Sequence, residues 1–165
     1  MNEQTIQRAL GWHFGIERGY IPIPNVLMVS GRYEADFIYI NKNNYLTEIE
    51  IKISAADFKA DFKKKHYHDC EDVRSLYYAL PKDLYKKDKE LFKSMAADRG
   101  AGIIVVSGCR TCDIVQKAAI RKNVKPLGHW QMIGYMRLGC LKWFKPQYRE
   151  DVSDINVVNK KEEQQ

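Results

Sequence analysis

The sequence predicts an α/β domain with a mixed central sheet flanked by helices. Two observations carry this. Apolar spacing switches repeatedly between the helical and the strand period, giving the order helix, hairpin, helix, strand, helix, strand, helix. An Asn-rich turn, Asn41-Lys42-Asn43-Asn44, separates two β-rich runs and folds them into a hairpin.

The elements follow in order. Glu3 to Arg18 reads as a helix, with Ile6, Leu10 and Phe14 at helical spacing and Gly19 as its stop. Ile21-Pro22-Ile23-Pro24 must be extended, because each proline disfavours helix in its predecessor. Ala35–Ile40 and Tyr45–Lys52 are the hairpin strands. Ser54 caps the next helix, which the pattern carries to about Tyr67, with Phe58 and Phe62 as its apolar stripe. Ser75–Leu80 is a strand stopped by Pro81, and Lys82 to Ala97 a helix. Gly102–Val106 is a buried-type strand beside which Asp113–Gln116 can pair, and Trp130 to Leu141 is helical.

The chain has 165 residues, enough for one domain with a full core. That domain is expected over residues 1–146, followed by a polar, flexible tail over 147–165. No apolar run is long enough to span a membrane, and Met1–Gln4 has no secretory character, so the expected location is cytoplasmic. The net charge is +6, and the tail is acidic, so residues 1–146 carry +8. A basic domain suggests a polyanionic partner. Reduced thiols are expected for Cys70, Cys109, Cys112 and Cys140, although the Cys109–Cys112 spacing leaves a zinc site open.

Strand alternation puts Glu48, Glu50 and Lys52 on one face and Ile49, Ile51 and Ile53 on the other. Glu34 and Asp36 share a face of the preceding strand, and the hairpin can bring Asp36 beside Glu50. Clustered carboxylates repel, and a hard divalent cation removes that cost while preferring oxygen ligands. Asp36 and Glu50 therefore suit Mg²⁺, with Lys52 placed to orient an attacking water or offset developing charge. The same alternation also describes the solvent face of an edge strand.

The context narrows this. Glu50-Ile51-Lys52-Ile53-Ser54, Asp57-Phe58-Lys59-Ala60-Asp61, Leu76-Tyr77-Tyr78-Ala79-Leu80-Pro81 and Gly102-Ile103-Ile104 together resemble the PD-(D/E)xK nuclease superfamily, and within it the MmcB-like DNA-repair proteins and related phage or bacterial proteins. The resemblance covers about residues 34–106. It implies a restriction-endonuclease-like fold and Mg²⁺-dependent phosphodiester hydrolysis by a deoxyribonuclease, in DNA repair or phage or bacterial DNA processing, with Mn²⁺ able to substitute. It assigns Asp36, Glu50 and Lys52 as catalytic residues. The metal ligands are then Asp36, Glu50 and the Ile51 backbone carbonyl, with Glu34 and Glu48 in support, either of a second metal or of the residues around the first. Ala35 stands where the motif name has proline, and Glu17 is the candidate for the glutamate that many members carry on the first helix. The alternative is a catalytically inactive nuclease-fold module that binds nucleic acid.

Lys59, Lys63, Lys64, Lys65, His66 and His68 form a basic stretch just after the motif. Lys59, Lys63, Lys64 and His66 are candidates for phosphate contact with DNA; the same residues also fit a solvated helix end. Trp130, Tyr135 and Trp143 read as packing residues rather than base-stacking platforms, and Arg137, Lys142 and Lys145 could extend the basic surface.

Overall fold

A computed structural model describes residues 1–28, 33–64 and 68–141. Lys65, His66, Lys142, Trp143, Lys145 and the tail over 147–165 lie outside the described residues.

Helix α1 (Glu3–Leu10) starts where the Asn2 side chain accepts the Thr5 N–H at 2.9 Å. It continues as a π-helical segment over Gly11–Glu17, and Gly19 ends the run at φ +65°. Strand β1 (Ile21–Leu27) follows, then β2 (Glu34–Ile40) and β3 (Leu46–Ile51). Helix α2 (Ala55–Asp61) leads to β4 (Val73–Pro81), then α3 (Lys82–Lys87), α4 (Lys89–Asp98), β5 (Gly102–Gly108) and β6 (Thr111–Gln116). Residues 129–141 are helical. None of the described helices is long and apolar enough to cross a membrane.

Among the described residues, six strands form one sheet and lie in sequence order. β3–β4 and β4–β5 are parallel, with α2 and α3–α4 as their crossovers; the other pairs are antiparallel. The sheet is therefore mixed, as expected, and consistent with the restriction-endonuclease-like fold. β1 carries Pro22 and Pro24 because it is an edge strand, where a missing N–H costs no ladder bond. At Gly102 a Cβ would stand 2.4 Å from the Tyr77 ring and 2.6 Å from the Gln116 carbonyl, so only glycine fits between β4 and β6.

Two helices differ from expectation. α2 ends at Asp61 rather than near Tyr67: the Asp61 carbonyl accepts Lys64 N–H at 3.2 Å and Arg99 Nη2 at 3.4 Å, and its carboxylate turns inward. The stretch from Lys82 is two helices, broken at Asp88, whose side chain caps α4 by accepting Leu91 N–H at 3.2 Å.

The faces of the sheet are unlike. One is mainly apolar, with Phe37, Ile49, Ile51, Ala79 and Ile104 packed under α1. The other has two separate apolar clusters. Ile23, Ile38, Leu46, Val73 and Tyr135 fill one end. Phe58, Leu76, Tyr78, Phe92 and Ile103 fill the other, under α2–α4. Between them the register sets Glu48 opposite Ile38 and Leu76, and Glu50 opposite Tyr78, so charged side chains occupy the middle of this face. Tyr135 packs as expected, whereas Trp130 is 80% exposed. Cys70 and Cys112 are buried in different clusters, Cys109 and Cys140 are exposed, and none of the four is in a disulfide.

Candidate active site

β3 lies inside the sheet, and Glu48, Glu50 and Lys52 are 0%, 1% and 4% exposed, so they are not the solvent face of an edge strand. The hairpin register pairs Phe37 with Ile49, and one further step brings Asp36 opposite Glu50. Asp36 Oδ2 accepts the Ile51 N–H at 2.8 Å. Lys52 Nζ donates to Glu50 Oε2 at 2.9 Å and lies 3.9 Å from Asp36 Oδ2. Asp36, Glu50, Ile51 and Lys52 thus meet at one end of β3, where Asp36 is the most exposed of the three charged groups.

Behind them lies a second charged group, centred on Asp61. Asp61, fully buried at the end of α2, accepts from Tyr78 Oη at 2.8 Å and Arg99 Nη1 at 3.0 Å through Oδ2, which also faces His68 Nε2 at 2.8 Å. Its Oδ1 lies 3.4 Å from Lys52 Nζ and 3.3 Å from Lys64 Nζ. His68 turns its other nitrogen, Nδ1, to Glu48 Oε1, and Glu48 Oε2 accepts the Tyr33 hydroxyl at 2.6 Å. Arg99 joins from just beyond α4, also donating to Tyr78 Oη at 2.7 Å.

Burial and the Asp36 carboxylate push the Glu50 carboxyl up to about 7, against the pull of Lys52 and His68. Burial opposes charge on Lys52, but Glu50, Asp61 and Asp36 outweigh it and raise its pKa. Burial would likewise raise Asp61, yet His68, Lys52 and Tyr78 hold it well below the usual carboxylate range. His68 rises to about 9: burial works against its charge, and its contacts with Asp61 and Glu48 prevail.

Not every expected residue joins the site. Glu17 pairs with His13 Nδ1 at 2.9 Å, and its field reaches Cys112 in β6 rather than Glu50 or Lys52. The first-helix acid that faces the site is Glu3. Its carboxyl is raised by partial burial and then by Asp36, with Lys52 opposing and Asp57 and Glu34 adding to the rise. Gln7 links them, donating to Glu3 Oε1 at 3.1 Å and to the Asp36 carbonyl at 3.3 Å. Glu34 is exposed, as are Lys59, Lys63 and Lys64, the last with its Nζ 3.3 Å from Asp61 Oδ1; His66 lies outside the described residues.

One sequence signal for Asp61 existed: it lies three residues after Phe58, on the apolar stripe of α2. Tyr33 and Arg99 had none, since they reach the site through tertiary packing; His68 had only the run His66-Tyr67-His68-Asp69-Cys70, a weak zinc signal because its spacing suits a helix poorly.

The donor set suits a hard cation. Asp36 and Glu50 offer carboxylate oxygens from neighbouring strands, and Glu50 Oε1 is buried without a hydrogen-bond partner among the described residues. A buried carboxylate oxygen left open is costly unless something else binds it.

The model of a family described as DNA repair protein MmcB-like matches residues 2–127. No curated protein matches the chain. A solved structure from Silicibacter pomeroyi, a protein of unknown function, is similar at a TM-score of 0.60 with 17% identity over 89% of each chain. That likeness shows a shared fold.

Proposed function

The chain belongs to the MmcB-like family of DNA repair proteins, and on that premise we propose that it is a divalent-metal-dependent DNA nuclease with Asp36, Glu50 and Lys52 as its catalytic residues. The open Glu50 Oε1 beside Asp36 and Lys52 carries this reading.

Asp36, Glu50 and the Ile51 carbonyl would hold the cation, Mg²⁺ or Mn²⁺, which when bound supplies a lowered pKa for a bound water and polarises a phosphoryl oxygen. Asp36 is oriented by the Ile51 N–H, which fixes one oxygen and leaves the other for ligation. Lys52 keeps its charge among three carboxylates and stands at the metal-facing residues, so its ammonium can orient the attacking water and stabilise charge on the phosphate. Asp61 anchors that ammonium from behind. Exposed Lys59 and Lys63, with Lys64 beside Asp61, would contact DNA phosphates.

Asp36→Ala tests this directly. An enzyme loses metal-dependent cutting in the variant while DNA affinity is retained or improved, because a repelling carboxylate is gone. A chain that binds DNA but never cuts, with or without Asp36, is a nucleic-acid-binding module that keeps the fold.

A further inference from the structure

We propose that Glu48, Glu50 and His68 form a second divalent-cation site, one that includes an imidazole nitrogen. Each of the three buried side chains offers a ligand atom, and these atoms lie within 4.8 Å of one another. Among the described residues no other group of three His, Cys, Asp or Glu gathers this way.

One atom of each side chain is held by a neighbour. Glu48 Oε2 is held by the Tyr33 hydroxyl at 2.6 Å, Glu50 Oε2 by Lys52 Nζ at 2.9 Å, and His68 Nε2 by Asp61 Oδ2 at 2.8 Å. The remaining atoms are Glu48 Oε1 and His68 Nδ1, which face each other, and Glu50 Oε1, which has no hydrogen-bond partner among the described residues. An imidazole whose far nitrogen is tied to a carboxylate is the usual arrangement of a metal-binding histidine, because that tie fixes the ring and its tautomer. Here the tying carboxylate is itself fixed by Tyr78 and Arg99.

The backbone supports the same reading. His68 sits at φ +66°, a left-handed conformation that a non-glycine residue adopts at some cost. Arg121 Nη2 pins its carbonyl at 2.8 Å, holding the ring over Glu48. A cation seated at Nδ1 takes the place of the proton there. With one nitrogen and two carboxylates, the site suits Mn²⁺ or Zn²⁺ better than Mg²⁺. It rests on the nuclease reading only through Glu50, which the two sites share.

The test is pulsed EPR of the full chain with Mn²⁺ alone, which detects nitrogen coupling from a directly bound imidazole. The expected result is coupling in the unmodified chain, retained in Asp36→Asn and lost in His68→Gln. Bound Mn²⁺ without nitrogen coupling, or coupling that survives His68→Gln, overturns the site. Tyr33→Phe keeps shape and removes only the hydroxyl that orients Glu48; it should weaken Zn²⁺ binding by about tenfold in calorimetry, and an unchanged affinity also contradicts the proposal. Mg²⁺-dependent cutting without nitrogen coupling removes this site and leaves the nuclease reading standing; coupling without cutting does the reverse.

Discussion

Lys52 Nζ and Asp61 Oδ1 stand 3.4 Å apart although Lys52 precedes α2 and Asp61 is its last residue. The helix is short enough that one buried carboxylate at its far end can hold the ammonium at its near end. This couples the site at the end of β3 to a structural network of Tyr78, Arg99 and His68.

Asp61→Ala should therefore be among the most damaging single changes. It removes the carboxylate shared by Arg99, Lys52 and His68 Nε2 and leaves His68 facing Glu48 alone, a loss of about 3–5 kcal/mol by analogy with broken buried ion pairs. That is a large share of the roughly 5–15 kcal/mol typical of a domain. Urea unfolding followed by circular dichroism would measure it. A change below about 1 kcal/mol would mean the network is not a structural unit.

His68 gives stability a defined pH dependence. Its pKa rises from an ordinary 6.5 to about 9 in the folded chain, so the folded state binds the proton more tightly. The stabilisation is fully present below about 6.5 and is lost as pH rises through about 9. Melting temperatures across that window should decline in the metal-free chain, and His68→Gln, starting lower, should flatten the decline. A profile that is flat in the unmodified chain would contradict the assignment.

Glu3 and Glu17 separate two readings of the first-helix acid. Glu3 shares the field of Asp36 and Lys52, while Glu17 is paired with His13. Glu3→Gln should weaken Mg²⁺ affinity about threefold, worth about 0.6 kcal/mol in the Mg²⁺-linked rise of the melting temperature. Glu17→Gln should leave that rise unchanged.

Lys59→Ala combined with Lys63→Ala should weaken DNA binding without regard to sequence and lower the salt dependence of the affinity by a slope of about 2, one per lost phosphate contact. Fluorescence anisotropy over a salt series measures both. An unaltered slope would place these lysines on a merely solvated helix end.

Much of this was legible in the sequence where the information is local. Strand alternation put Glu48, Glu50 and Lys52 on one face, and the Asn41–Asn44 turn set the register that brings Asp36 to Glu50. Local signals misjudged α2 and the helix after Pro81, because a tertiary contact to Arg99 and a self-capping Asp88 end those helices early. The inner half of the site was hidden for the same reason. His68 follows α2 in a basic stretch with no spacing that points to these partners, yet its ring is buried between Glu48 and Asp61. Glu17 lies on the first helix as the resemblance requires, but the helix delivers its first turn, not its last, to the acidic site.

The central claim is best tested by incubating the purified chain with supercoiled, linear and branched DNA in Mg²⁺, Mn²⁺ or EDTA, beside Lys52→Ala. Cutting that requires the metal and falls by at least about 100-fold in the variant is the predicted result. Undiminished cutting by Lys52→Ala, or cutting that persists in EDTA, would contradict it.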